Sequence, residues 1–232
     1  MGEQGYGICP EATLRWARAL AQLLRKVGRL ALVIGAGNLY RGRSSQGLPR
    51  VAADQLGMVA TLMNGIALRE VLLSLGVAAC AMSGLPCPSL VESYSWREAR
   101  LRFAAGELLI LVGGTGHPFF TTDSGAALYS CQMGVDLVIK ATNVDGVYEK
   151  DPRLHPESRR FATMSYSDLL SRQLTVIDGT AAALCRDNSL PLLVCNKQLL
   201  LEESFGRALV EGKQLAQLGT LVREGLPLSF LA

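Results

Sequence analysis

The chain has only two histidines among its 232 residues, and aromatic side chains make up just 6%. Six cysteines (Cys9, Cys80, Cys87, Cys131, Cys185 and Cys195) form no CxxC pair, so the Cys and His spacings of a zinc site are missing. Most of them lie in apolar runs, as small buried hydrophobes do in a reducing compartment. No window approaches the ~18 apolar residues of a membrane span. The opening segment, MGEQGYGICPE, has the features of neither a signal nor a transit peptide. Charge of one sign is scarce as well. The net charge is +3 and the basic residues are scattered, which leaves a nucleic-acid surface unsupported. No internal repeat, low-complexity tract or linker divides the chain.

What is plentiful is aliphatic residues and glycine: 49% of the chain is hydrophobic, with 24 glycines. A chain of this length buries a substantial core as one large α/β domain, residues 1–232. Apolar periodicity predicts helices over Glu11–Val27, Ala52–Leu75 and Ser95–Ala105, with a further one starting near Asp123 or Ser124, both good caps. Later helices are expected over Asp178–Asp187 and Leu199–Glu211, and Ser165 with Asp168 makes a capping-box pattern. Short apolar runs read as strands at Leu30–Ile34, Val77–Met82, Leu108–Val112, Asp136–Ala141 and Leu192–Cys195. Alternating strands and helices with near-continuous apolar strands imply a mostly parallel sheet covered on both faces. In such sheets ligands gather at the carboxyl ends of strands.

Two strand-to-loop junctions fit that rule. Leu108–Asp123, LLILVGGTGHPFFTTD, passes from an apolar run into a Gly- and Thr-rich turn that closes on an acid. Exposed backbone N–H groups with hydroxyls beside them suit a phosphate-bearing ligand. Lys140–Pro152, KATNVDGVYEKDP, follows the next apolar run with a Lys, a Thr and an Asp-Gly turn. A third turn, Gly35-Ala36-Gly37-Asn38, lets backbone approach a phosphate, with Arg41 placed to grip it bidentately. The stretch Gly37–Ser44 falls short of a P-loop, because Arg43 stands where Lys is required and Gly47 and Pro49 interrupt any following helix. Gly35 and Gly37 begin like a dinucleotide fingerprint, but Tyr40 occupies the third glycine's place. Asp54, early in a long apolar helix, is either a first-turn acid favourable to the helix dipole or an acceptor for a ribose or base.

Taken together, VIGAGNLYRG, ADQLGMVATLMNG, ESYSW, GGTGHPFFTTDSGAA, KATNVDGVYEKDP, VIDGTAAALCRDNSLP and GTLV resemble, in order, the bacterial uridylate kinases of the amino acid kinase superfamily. The resemblance implies a three-layer α/β sandwich and transfer of the ATP γ-phosphoryl group to UMP, giving UDP in pyrimidine nucleotide biosynthesis. It places UMP at Ala36, Arg41, Asp54 and the loop Thr115, Gly116, His117, Pro118, Phe119, Phe120, Thr121 and Thr122. It places ATP at Gly37, Arg41, Thr142, Tyr148 and Asp151. The catalytic set becomes Arg41, Asp123, Lys140 and Asp178, the two acids organising Mg²⁺ or a lysine, with no direct protein ligand to the metal assigned. Gly2, Glu3, Gln4, Gly5, Tyr6 and Gly7 resemble a segment associated with activation by GTP. UTP inhibition, a homohexamer and a cytoplasmic location are further implications, with no nucleic acid or membrane as partner. Phosphoryl transfer of this kind works mainly by positioning and charge neutralisation, so the scarcity of histidine is no obstacle.

The chain departs from that pattern at its front, where relatives carry a strand with Lys followed by Ser-Gly-Glu. Met1 therefore reads as an internal methionine, with the start of the protein upstream of it. A chain beginning here is expected to be poorly stable and weakly active or inactive, since losing one oriented charged donor costs ~10²–10³ in rate. A non-catalytic nucleotide- or oxyanion-binding member of the superfamily is the alternative that this departure favours. A kinase acting on a carboxylate or carbamate is the other, and the TGHPFFTT loop and Asp54 oppose it. His117 stands where relatives usually have Asn, Ala36 and Ala53 replace frequent glycines, and the tail Arg223–Ala232 extends beyond the usual end.

Overall fold

The computed structural model describes residues 6–40, 47–212 and 215–231. The chain divides into two compact units, Met1–Gly125 and Ala126–Ala232. Helix α1 of the first unit runs Pro10–Val27. Proline occupies its first turn, Glu11 sits at its positive end, Arg25 and Lys26 sit at its negative end, and Gly28 closes it in the left-handed conformation (φ 76°). Strand β1 (Ala31–Val33) leads to α2 (Arg50–Ser74), then β2 (Ala79–Ser83), β3 (Glu92–Ser93), α3 (Trp96–Ala104) and β4 (Leu108–Val112). The four strands form one parallel sheet in the order β1-β4-β2-β3. Every residue of β2 and β4 is buried, which explains their continuous apolar sequence. Ala17, Leu20, Leu62, Leu68, Leu72, Ile110 and Val112 pack as the core between helices and sheet.

Helix α2 is long and apolar enough, by length and composition, to cross a membrane, contrary to the expectation that no window is. Much of it is nevertheless core, because Leu62, Leu68 and Leu72 lie in the cluster just described. Its ends match the expected ones to within two residues.

Helix α4 (Thr122–Met133) carries the chain across the division at Gly125. Its cap is Thr121 rather than Asp123 or Ser124: the Thr121 hydroxyl accepts the N–H groups of both those residues, at 3.1 and 3.3 Å. The second unit continues with β5 (Val138–Thr142), β6 (Phe161–Met164), α5 (Tyr166–Ser171), α6 (Gly179–Asp187) and β7 (Leu192–Asn196). It ends with α7 (Glu203–Glu211), α8 (Leu215–Leu218), β8 (Gly219–Val222) and β9 (Ser229–Phe230). The expected helix over Leu199–Glu211 is two pieces: a 3₁₀ turn over Lys197–Leu201, then α7, separated by Glu202 in extended conformation.

The second sheet has the order β5-β7-β8-β6-β9. It is mixed: β7 with β8 and β6 with β9 pair antiparallel, so the expected mostly parallel arrangement describes the first unit better than the second. The tail left unassigned by sequence is a structural strand here. Phe230 stacks on the buried Phe161 with ring centroids 4.7 Å apart, and the Arg159 guanidinium lies 3.9 Å over Phe230.

Candidate functional site

In the first unit, helix α2 holds the candidate phosphate loops at three points along its length. Asn64 and Asn38 form a buried reciprocal amide pair, each donating its Nδ2 to the other's Oδ1 at 2.8 and 3.0 Å. The remaining donors reach backbone: Asn64 Nδ2 donates to the Gly35 carbonyl and Asn38 Nδ2 to the Gly7 carbonyl, both at 2.9 Å. The turn after β1, carrying Ala36 and Gly37, is thereby tied to α2, and the Ala36 carbonyl accepts the N–H groups of Leu39 and Tyr40. Buried amides with their hydrogen bonds made fix a loop; left unpaired, they would destabilise it.

One turn earlier on α2, the Thr61 hydroxyl accepts the Gly113 N–H at 2.7 Å and donates to the Met58 carbonyl. The start of the loop after β4 is anchored there. Its Gly116 is left-handed (φ 78°), and a Cβ on it would stand 2.4 Å from the Gly84 carbonyl oxygen, so only glycine fits that close approach.

At the first turns of α2, Asp54 Oδ2 accepts the Phe119 N–H at 2.8 Å. Arg50, four residues before, donates its Nε to both Asp54 oxygens at 2.8 Å and lies over the Phe119 ring. Phe119 itself is held at φ 70°, an uncommon conformation for a side-chain-bearing residue. The structure therefore brings Asp54 to the Thr115–Thr122 loop, and Thr115 braces His117 within it. Positions 54, 61 and 64 recur at helical spacing, which puts all three anchors on one side of the helix.

The second unit carries the other candidate set. Thr142 ends β5 opposite Asn196, and Lys140 lies within that strand opposite Val194, half-buried. The Tyr148 hydroxyl donates to Asp145 Oδ1 at 2.6 Å. Burial, and then that hydrogen bond, push its phenol up to about 12. Asp151 accepts the Arg153 N–H and side chain at 3.0 to 3.1 Å, which holds its carboxyl below the usual range. Asp178 caps α6, accepting the Ala181 N–H at 2.9 Å, whereas Asp123, in the first turn of α4, belongs to the first unit. Among the described residues no group of three or more His, Cys, Asp or Glu gathers to hold a metal ion.

Arg41 and the segment Gly2, Glu3, Gln4 and Gly5 lie outside the described residues. Of the GTP-associated segment, Gly7 is tied at both ends of its peptide, its N–H donating to the Asn38 carbonyl at 2.8 Å. Residues that the sequence reading missed are Arg50, Thr61, Asn64 and Arg160, and it took Asp145 only as part of an Asp-Gly turn. Arg50 was detectable from its i, i+4 spacing to Asp54, and Asn64 from being an amide inside an apolar helix. Nothing in the sequence marks Arg160.

Residues 6–196 match the Amino acid kinase family, and the chain belongs to that family. Two curated relatives are uridylate kinases. That of Protochlamydia amoebophila is 42% identical over 227 residues, covering 97% of this chain and 89% of that protein. That of Magnetococcus marinus is 43% identical over 194 residues, covering 83% and 80%. The crystal structure of UMP kinase from Bacillus anthracis superposes with a TM-score of 0.90 at 27% identity, covering 99% of this chain and 93% of that one.

Proposed function

We propose that this chain is a UMP kinase that transfers the γ-phosphoryl group of ATP to UMP in pyrimidine nucleotide biosynthesis. The observation that carries the reading is the acceptor loop: Thr115–Thr122, with Asp54 bonded to its tip and Thr61 to its root. Backbone N–H groups and threonine hydroxyls in that loop suit a nucleoside monophosphate, and Arg41 supplies the cation for its phosphate. Thr142, Tyr148 and Asp151 take the ATP.

The reaction needs no nucleophile from the protein, because a phosphate oxygen of UMP attacks the γ-phosphorus as ADP leaves. Lys140 and Arg41 offset the charge that spreads over the transferred oxygens. Mg²⁺ bound with ATP would neutralise the β- and γ-phosphates. The carboxylates of Asp123 and Asp178 are hard oxygen groups suited to hold its waters or to orient a lysine. The family match runs through the division at Gly125, in keeping with one catalytic domain over residues 1–232.

Regulation by GTP through Gly2–Gly7 and inhibition by UTP belong to the same proposal, as do a cytoplasmic location and a homohexamer. Leu56, Val59, Met63 and Leu73 make an exposed apolar row along α2 that a second copy would cover. The test is ADP formation from Mg·ATP on addition of UMP. Saturation by UMP, with no response to amino acids or carbamate, is the expected result. ATP binding without any UMP-dependent turnover would leave a non-catalytic nucleotide binder in its place.

A further inference from the structure

Arg160 is buried just before β6, and its guanidinium reaches back to the turn that precedes Tyr148, one of the residues expected to hold ATP. Its Nη1 donates to the Asp145 carbonyl at 3.1 Å and its Nη2 to the Gln217 carbonyl at 3.4 Å. Its backbone bridges antiparallel to Tyr148. Asp145 is shared: Oδ1 accepts the Tyr148 hydroxyl, and Oδ2 stands 3.5 Å from Arg160 Nε. That Nε is buried and makes no hydrogen bond among the described residues. Gly146 lies flat against the same side chain, since a Cβ there would be 2.8 Å from Arg160 Cδ and 2.6 Å from Thr220 Oγ1. Thr220 grips the following residue by accepting the Val147 N–H at 2.8 Å.

A buried guanidinium is costly to desolvate, and its hydrogen bonds to the Asp145 and Gln217 carbonyls offset that cost only in part. The carbonyl contacts account for Nη1 and Nη2 but not for a buried Nε held just short of the Asp145 carboxylate. We propose that Arg160 is a positioning residue for the donor nucleotide: it holds the Asp145–Gly146 turn so that Asp145 presents the Tyr148 ring in one orientation, and the Nε–Asp145 hydrogen bond closes when ATP settles against Tyr148. This rests on the assignment of Tyr148 to ATP made above.

The test uses the full chain and measures Mg·ATP and UMP binding separately by calorimetry, for the unaltered protein, Arg160→Lys, Tyr148→Phe and the double variant. Lysine keeps the charge but not the planar fork. Arg160→Lys is expected to weaken ATP binding by about tenfold, the loss of one or two oriented hydrogen bonds, and to change UMP binding by less than about twofold. The double variant loses no more than the larger single effect, because both act through Asp145. The Arg160 ¹⁵Nε resonance of the unaltered chain shifts on adding ATP and stays put on adding UMP. That spectroscopic readout, with Tyr148→Phe, decides the matter if Arg160→Lys fails to fold. Unchanged ATP affinity in a folded Arg160→Lys, equal losses for both nucleotides, additive effects or a silent Nε resonance would each overturn the proposal. An unaltered chain that binds ATP but does not phosphorylate UMP refutes the kinase reading alone and leaves this test readable.

Discussion

Each unit builds the same small device, an arginine, an aspartate and an aromatic residue, and sets it in opposite surroundings. In the first unit Arg50 holds Asp54, which holds the backbone of Phe119; the two charged side chains are 51% and 16% exposed. In the second, Arg160 stands by Asp145, which holds the hydroxyl of Tyr148; here the arginine is 7% exposed and the aspartate 54%. Exposure of the arginine decides what each device does. An ion pair open to water contributes at most ~1 kcal/mol and yields easily, so Arg50–Asp54 is a soft pin on the loop after β4. A buried guanidinium with carbonyl acceptors is stiff, because each broken bond leaves a polar group without water. The first unit's device is therefore built to give and the second's to hold.

The sharpest way to test this difference in stiffness is to overfill each unit at a glycine packed against its sheet. A Cβ on Gly219 would lie 2.1 Å from the Val194 carbonyl oxygen, where β8 pairs with β7. A Cβ on Gly65 would lie 2.4 Å from Val112 Cγ1, where α2 crosses β4. Backbone in a paired strand has no room to retreat, whereas a valine methyl can rotate. Gly219→Ala is expected to cost about 3 kcal/mol or more and Gly65→Ala about 1–2 kcal/mol, both read from urea melts. Equal losses would contradict the reading of a stiff and a yielding unit.

Next in size is the pair of arginines themselves. Arg160→Met should destabilise by about 2–3 kcal/mol through the stranded Asp145 and Gln217 carbonyls, while Arg50→Met should stay within ~1 kcal/mol. The melting midpoints of the two variants measure this directly. A larger loss for Arg50 would reverse the assignment of pin and post.

The last effect appears only in alkali. Burial pushes the thiols of Cys185 and Cys195 in the second unit up to about 11, and that of Cys80 in the first up to about 12. Unfolded thiols lose their protons first, so between pH 9 and 11 the unfolded state binds fewer protons and stability falls as pH rises. Below that window both states are protonated and stability is flat in this respect. Thiol labelling of the native protein near pH 8 should reach the half-buried Cys9 and Cys87 well before these three. Early labelling of Cys185 or Cys195 would mean that the second unit opens more readily than its packing implies.

Much of the frame was legible in residue order alone. Strand β4 falls on the expected Leu108–Val112, the Ser165–Asp168 capping box forms as written, and Asp178 caps its helix. These features are local, settled by apolar runs and by side chains reaching three residues along the chain. Strands β3, β6, β8 and β9 were not legible. They are two to four residues long, and β8 opens on a glycine whose value is the close approach to Val194 that it allows. The site divides in the same way. The loop after β4 announced itself through glycine, threonine and a matching family pattern. Its anchors did not, because Asp54 meets Phe119 across 65 residues and Thr61 meets Gly113 across 52.

Residue order thus sufficed for the α/β class, the Gly-rich turns and the family to which the chain belongs, since each depends on neighbours along the chain. Folding alone could assign the partners of Asn64, Asp54 and Arg160. A hydrogen bond acts over about 3 Å, and which distant groups come within that range is set by how helices and strands pack.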